Sequence, residues 1–227
     1  MRVKIYQIDC KRDVHHVKFQ DLDNTAKFQG HAAVDPTLYD EVFNAQLDIT
    51  DVEEVYRRFN TEGHPLYRGH SLSVSDVVVM NDRAYFCQPV GFQEVSFDES
   101  LTHKPQNMLT VVYVEPHKAP YVAEIQNTLV AEQKAVGGLI ELIGNSDGTF
   151  IVCNDEGKLI GMEGNRRIRG GTSIIAGPFF VVGDGGEDFR SLTEQEAERY
   201  MQRFAEIEDI SMEDVQADTG FVFFCGM

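Results

Sequence analysis

The stretch at residues 67–81, with the sequence YRGHSLSVSDVVVMN, limits the fold more than any other part of the chain. Its first half is too polar for a core, whereas residues 77–80 are apolar and mostly β-branched, a composition that favours a strand. Asn81 and Asp82 indicate a tight turn, and residues 84–87 predict the returning strand of a hairpin. A polar cluster directly before a buried strand requires a physical reason, which is either a held turn or a contact with another molecule.

The polar cluster allows a catalytic, a binding and a structural interpretation. Catalysis would use a serine nucleophile with His70 as its base, but this needs a strained elbow and an oxyanion hole, and no GxSxG motif is present. In the structural interpretation Ser73 and Asp76 satisfy backbone amides before the strand, and Arg68 binds a carboxylate. We favour this interpretation and keep binding as the second. The candidate ligand- or partner-binding residues are Arg68, His70, Ser71, Ser73 and Asp76.

The remainder of the first half mixes strand and helix signals. Residues 3–8 alternate apolar and polar side chains and predict a first strand, followed by an extended segment at 15–19. Asp35 and Pro36 predict a helix start, because Asp caps free amides and Pro fits the first helical position. The capping box TDVE at residues 50–53 predicts the start of a second helix.

The second half begins again with a strand signal and contains one long helical stretch. We predict a helix over residues 121–136, with Pro120 at its start and Gly137 at its end. The capping box SLTE at 191–194 predicts an amphipathic helix. Strands are predicted at 109–114, 139–143, 150–153 and 174–182, the last interrupted by Gly177 and Pro178.

These elements show no regular alternation of strand and helix, so the predicted fold class is α+β, with two small mixed domains in tandem. The predicted boundaries are a first domain at 1–98, a linker at 99–108, a second domain at 109–205 and an acidic tail at 206–227. The tail ends in an apolar, strand-like segment at 221–225. Such a segment would be a sticky edge if exposed, so we expect it to pair with a sheet or a partner, which allows self-association.

The chain carries a formal charge of −17, and residues 206–227 contribute six acidic side chains with no Lys or Arg. Direct binding to nucleic acid is therefore disfavoured, because it requires a basic footprint. The acidity serves either solubility or competition with nucleic acid for a basic protein partner. The sequence leaves both interpretations open.

One basic cluster stands out in the acidic second half, and it consists of Asn165, Arg166, Arg167 and Arg169 before two glycines. Guanidinium groups beside flexible backbone can hold a phosphorylated ligand or a partner carboxylate. Alternatively the arginines form internal salt bridges to the many acids, which is the interpretation we favour.

The chain lacks the patterns expected of a metal site, a disulfide framework or a membrane segment. Its four cysteines are far apart and no apolar signal segment opens it, so we expect reduced thiols and a cytoplasmic location. None of the seven histidines fits HExxH, and we predict no metal and no cofactor. No run of about 18 apolar residues predicts a membrane helix.

Residues 2–97 resemble a YodL-like domain on the strings IYQI, VYRRFN and RGHSLSVSDVVV. Residues 111–204 resemble a family of unknown function that is often fused to YodL-like domains, on EPHKAPYVAEIQNTL, QKAVGGLIE, CNDEGKLIGMEGNRR and IIAGPFFVVG. The resemblance implies cargo of phages and conjugative elements of Gram-positive bacteria, where neighbouring domains counter host defences or serve transfer. It implies no catalytic residues.

From these observations we expect a non-enzymatic accessory protein of a mobile element, without a membrane partner, that binds a host or element protein and counters a host defence. The alternative is a small-ligand protein that binds a nucleotide or phosphorylated metabolite at Arg166 and Arg167. A hydrolase or nuclease that uses His70 and Ser73 is the third hypothesis.

Overall fold

The computed structural model describes residues 1–219 of the 227-residue chain. The chain divides into two compact units, with the boundary in the sequence between Gln106 and Asn107. Each unit is built on an antiparallel sheet with few helices, so the prediction of an α+β fold in two domains is confirmed. Within residues 1–219, no helix is both long and apolar enough to cross a membrane.

The first unit contains a five-stranded sheet in the order β5-β4-β3-β1-β2, in which each neighbouring pair is antiparallel. Strand β1 therefore lies between β3 and β2, and its side chains are buried over most of its length. The elements are β1 (Arg2–Ile8), α1 (Leu22–Gln29), β2 (Tyr39–Gln46), α2 (Val52–Thr61), β3 (Val77–Met80), β4 (Arg83–Cys87) and β5 (Phe92–Val95).

The helix predicted from Asp35 and Pro36 is wrong. Asp35 does accept a hydrogen bond from the Thr37 amide, but the helical turn is a 3-10 turn that ends at Leu38 and leads into β2. From Tyr39 to Phe43, buried residues of β2 alternate with half-buried ones, so this part of the segment follows the two-residue period of a sheet. Its apolar residues also fit a helical spacing, and pairing with β1 decides between the two.

One further prediction in the first unit is wrong, and one helix was missed. Residues 15–19 form turns rather than a strand, because the Asp13 carboxylate accepts hydrogen bonds from the amides of Val17 and Lys18. Helix α1, capped by Asp21, was not predicted. The helix predicted at 50–53 is confirmed as α2, with Asp51 as its N-cap.

The second unit contains a main sheet in the order β7-β6-β12-β9-β8, with β13 paired to β12, and a separate ribbon of β10 and β11. Helix α4 packs its apolar side chains on the core of the main sheet. The elements are β6 (Met108–Val114), β7 (Tyr121–Gln126), α3 (Leu129–Val136), β8 (Ile140–Gly144), β9 (Thr149–Asn154), β10 (Gly164–Ile168), β11 (Ser173–Ala176), β12 (Phe179–Asp184), β13 (Phe189–Arg190), α4 (Glu194–Arg203) and α5 (Met212–Ala217).

The long helix predicted at 121–136 is wrong in its first half, which is strand β7. Alternate residues of β7 are buried, and the helix begins only after Thr128, whose side chain caps it. The apolar run at 174–182 is two strands in different sheets, because Gly177 adopts a φ of +82° between β11 and β12. The second capping box lies two residues later than predicted, between Thr193 and Glu196.

The predicted linker and tail are largely structured. Residues 99–106 belong to the first unit, where Glu99 forms an ion pair with Lys4 at 2.7 Å. The acidic tail extends the second unit, since Ile210 and Val215 are buried against β11. The apolar segment predicted at 221–225 lies outside the described residues.

Candidate functional site

In the first unit, the polar motif folds around the side chain of Gln7, which lies on β1. Gln7 Oε1 accepts a hydrogen bond from the His70 amide at 3.0 Å. Gln7 Nε2 lies within hydrogen-bonding distance of Asp76 Oδ2 at 2.8 Å, the His70 carbonyl at 2.9 Å and the Tyr67 hydroxyl at 2.9 Å. One carboxamide therefore links both ends of the motif to strand β1.

Gly69 occupies the position where the motif passes closest to Gln7. A Cβ atom at residue 69 would lie 2.2 Å from Gln7 Oε1, far inside van der Waals contact. The glycine in the RGHS string is thus required by packing against the carboxamide, with no need for an unusual backbone angle.

Asp76 is the buried acid of this network. It is fully buried, and its Oδ2 also accepts a hydrogen bond from the Ser73 amide at 2.8 Å, while Oδ1 has no hydrogen-bond partner within residues 1–219. Burial raises the pKa of Asp76 to about 7, although the hydrogen bonds from Ser73 and Gln7 act in the opposite direction. Near neutral pH this carboxyl is therefore partly protonated.

The other motif side chains also make internal contacts. Arg68 Nη2 donates to the Glu41 carbonyl at 3.1 Å, and Ser73 Oγ donates to the Ser71 carbonyl at 3.1 Å. In the part of the chain that the structure describes, no serine hydroxyl of the motif contacts the His70 ring, which lies 5.6 Å from the ring of Phe19. The geometry is that of a capped turn, and a binding role for these residues stays a prediction.

In the second unit, the side chain of Arg166 points into the protein interior. Only 1% of it is exposed, and its guanidinium donates to the carbonyls of Phe204 at 3.1 Å and Lys118 at 2.8 Å. It also donates to Asn165 Oδ1 at 2.9 Å. Asn165 is fully buried and donates to the carbonyls of Val114 and Gly177. The predicted ligand contacts at Asn165 and Arg166 therefore need correction, because neither side chain reaches solvent.

A β-bulge explains why two successive polar residues are buried. The register between β10 and β11 shifts between Gly164 and Arg166, so Asn165 is an extra residue without a direct partner. The shift breaks the in-and-out alternation of the strand, and it turns both Asn165 and Arg166 inward. The sequence carries no clear signal for this bulge.

Arg167 lies on the surface and pairs with two acids of the segment predicted as a tail. Its guanidinium is 3.2 Å from Glu208 and 3.2 Å from Asp214, and its amide donates to Glu208 at 2.9 Å. Nearby, Asp218 pairs with Lys158 and accepts a hydrogen bond from the Ile174 amide at 2.8 Å. Among the described residues, Arg167 is thus the arginine of the cluster that forms the expected internal salt bridges.

Arg169 is exposed and borders a cavity of about 300 Å³. The cavity is formed by the turn between β8 and β9, by α4 and by the end of β10, three stretches that are distant in sequence. Its polar lining is Asn145, Ser146, Asp147, Arg169, Tyr200 and Arg203, and its apolar lining is Ile143, Ile151 and Ile168. Of these lining residues, the sequence predicted only Arg169 as a site residue, because nothing in the three separate stretches indicates that the stretches meet.

Asp147 lines this cavity, and several polar contacts hold its carboxylate in place. Its carboxylate accepts hydrogen bonds from Thr149 Oγ1 at 2.6 Å and the Tyr200 hydroxyl at 2.8 Å, and it pairs with Arg199 at 2.6 Å. Burial alone would raise its pKa, but these hydrogen bonds and the charge of Arg199 hold the pKa below its ordinary value. Asp147 is therefore a fixed anion with its own counter-ion.

The described cysteines are poor nucleophiles where they are buried. Burial raises the pKa of the Cys87 and Cys153 thiols to about 12, so thiolate is scarce at neutral pH. Cys10 is exposed. Within residues 1–219, no group of three or more His, Cys, Asp or Glu side chains is arranged to hold a metal ion.

Comparison with known families agrees with the two units. Residues 2–97 match the YodL-like domain, and residues 108–205 match a domain of unknown function, DUF3846. The chain is a fusion of a YodL-like domain with a DUF3846 domain, as its motifs predicted. No curated protein and no solved structure matches it. The segment 206–219, which pairs with Arg167, extends beyond the matched part of the second unit.

Proposed function

We propose that this chain is a non-enzymatic interaction protein of a mobile genetic element, acting in the cytoplasm, and that it binds a basic protein partner through its second unit. The partner is a host or element protein with a nucleic-acid-binding surface, and occupying that surface would counter a host defence. The family resemblance supports the setting, and the charge distribution supports the kind of partner.

The observation that carries the proposal is the distribution of charge in the second unit. Residues 107–219 contain nine basic and twenty acidic side chains, a formal charge of −11. Basic side chains are drawn into the fold, since Arg166 is buried on carbonyls, while Arg167, Arg190 and Lys158 are held in ion pairs. The excess acids remain on the surface and give it a negative potential that attracts basic partners.

We define the acidic surface by four exposed side chains on the stretch from α4 to α5. They are Glu198, Glu206, Asp209 and Glu213, and none forms an ion pair within residues 1–219. Unpaired exposed carboxylates retain their full charge for a partner, whereas Glu208 and Asp214 on the same stretch share the single positive charge of Arg167.

The proposal is tested by affinity capture from a bacterial lysate with three forms of the full chain. These are the wild type, a variant of the acidic surface (E198Q, E206Q, D209N and E213Q) and a control with four exposed acids of the first unit neutralised (D23N, D48N, E53Q and E62Q). Both variants lose four negative charges, so a difference between them reports position rather than net charge.

We expect a reproducible basic partner that is retained by the wild type and the control, lost by the acidic-surface variant, and released by salt, since salt screens surface charges. If both variants lose the partner to the same extent, the acidic surface has no specific role in binding and the acidity of the chain serves solubility. Failure to recover any reproducible partner would contradict the proposal.

A further inference from the structure

We propose that the cavity bounded by the β8–β9 turn, α4 and Arg169 binds a small organic anion, with the oxyanion at Arg169 and Arg203 and its apolar body on the three isoleucines. This goes beyond the proposed function, because it assigns a small-molecule site on a different set of residues.

Two arginines, Arg169 and Arg203, supply positive charge at this cavity. Acidic side chains outnumber basic ones by more than two to one in this unit, yet neither Arg169 nor Arg203 pairs with a carboxylate of residues 1–219. Both line the same cavity. A guanidinium that remains unpaired among so many acids keeps its forked donors available for an incoming oxyanion.

The guanidinium of Arg203 is held in place without the use of most of its hydrogen-bond donors. Nη1 donates to Asn145 Oδ1 at 3.2 Å, and the guanidinium lies 5.5 Å from the ring of Tyr200 and 5.1 Å from the ring of Phe204. Aromatic contacts of this kind fix a guanidinium while its N–H groups remain free to donate in the ring plane. Such a group is positioned for binding before a ligand arrives.

Arg169 approaches the cavity from a tight turn. Its own φ is +51°, and the next two residues, Gly170 and Gly171, have φ values of +68° and +90°. A left-handed arginine is uncommon, since its Cβ crowds the backbone. The turn places Arg169 directly after the end of β10, and both Arg169 and Arg203 line the cavity.

The cavity also selects for size and for an apolar group. Ile151 and Ile168 are core residues that expose only 1% and 3% of their surface, so the apolar surface of the cavity comes mainly from the half-buried Ile143. Asp147 does not repel a bound anion, because Arg199 already neutralises the Asp147 carboxylate. A volume of about 300 Å³ is at the lower end for small-molecule sites, which favours a short carboxylate or phosphate ester over a dinucleotide.

The test is a chemical-shift titration of the full ¹⁵N-labelled chain with four probes. Isovalerate and isobutyl phosphate share an oxyanion on a branched apolar body and distinguish a carboxylate from a phosphate source. Isoamyl alcohol lacks the charge, and inorganic phosphate lacks the apolar body. We expect saturable shifts at residues 143–147 and 203 with at least one of the two organic anions, and much weaker binding of the alcohol and of inorganic phosphate.

The matched variants are R169Q, R203Q and R57Q. Losing one charge-assisted bond should weaken binding about ten- to hundredfold, while R57Q removes an exposed arginine of the first unit and should change affinity less than about twofold. R169Q changes an exposed side chain, so the test stands even if R203Q unfolds. The proposal is overturned if neither organic anion shifts the cavity, if the alcohol binds as tightly, or if R169Q binds like the wild type.

Discussion

The polar motif of the YodL-like domain and the arginine cluster of the DUF3846 domain are similar as sequence, since each is a dense polar string beside an apolar strand. They differ in how the chain places them. The first closes on itself around Gln7 and Asp76, which are both buried. The second is divided by a bulge, so Arg166 faces the interior while Arg167 and Arg169 reach the surface. A polar cluster therefore indicates a binding site only where the backbone register turns its side chains outward.

The largest predicted effect concerns the inward arginine. R166M leaves the carbonyls of Phe204 and Lys118 without their charged donor, so we expect the second unit to lose about 3–5 kcal/mol of stability. Denaturant unfolding measures this loss. R167M is the control, and it should cost about 1 kcal/mol or less, because its ion pairs are exposed to water. If R166M and R167M lose similar amounts of stability, the inward and the outward arginine do not differ in their contribution to the fold.

The next effect tests the closed network of the first unit. G69A places a methyl group 2.2 Å from Gln7 Oε1, so the network must open, and we expect a loss of about 2–4 kcal/mol. G144A is the matched control, since its Cβ would meet Phe150 at 3.7 Å, an ordinary contact. If thermal unfolding shows G69A as stable as G144A, Gln7 does not organise the motif.

The third prediction concerns pH. The pKa of Asp76 in the fold, about 7, lies above its unfolded value of 3.8, so the unfolded chain releases this proton first as pH rises. The first unit should therefore lose stability between about pH 4 and pH 7, by roughly 3–4 kcal/mol from this group. D76N imitates the protonated acid in both the folded and the unfolded state, so it should match the wild type only below about pH 4 and exceed it increasingly up to about pH 7. A constant difference between the two proteins across this range would contradict the raised pKa.

The smallest effect concerns the segment beyond the matched DUF3846 region. E208Q weakens the contact with Arg167, and we expect about 0.5–1 kcal/mol of lost stability with faster amide exchange in α5. E206Q is the control, because Glu206 is exposed and outside that contact. Unchanged exchange in E208Q would mean that the Asp214 and Asp218 ion pairs and the packing of Val215 hold the segment without Glu208.

Local signals in the sequence predict the parts of the fold that local chemistry controls. The hairpin of β3 and β4, helix α2 and the apolar face of α4 follow from the turn residues, the cap and the spacing. Strand β2 could not be predicted, because its apolar residues satisfy two periods and only pairing with β1 chooses one.

The candidate sites show the same limit. The capped turn at Asp76 could be predicted because Ser73 is three residues away, whereas its link to Gln7 joins residues 69 positions apart. The burial of Arg166 depends on one unpaired residue in a ribbon, and the cavity at Arg169 depends on three separate stretches. Neither arrangement leaves a pattern in a single segment.

Partner binding by two folded variants, compared side by side, tests directly whether the acidic surface rather than the polar motif contacts the partner. D76N changes the motif without opening the fold, and the four-residue variant of the acidic surface changes only exposed side chains. If the motif is internal framework and the acids contact the partner, D76N binds like the wild type and the acidic-surface variant does not. Loss of binding in D76N with full binding by the acidic-surface variant would contradict the account.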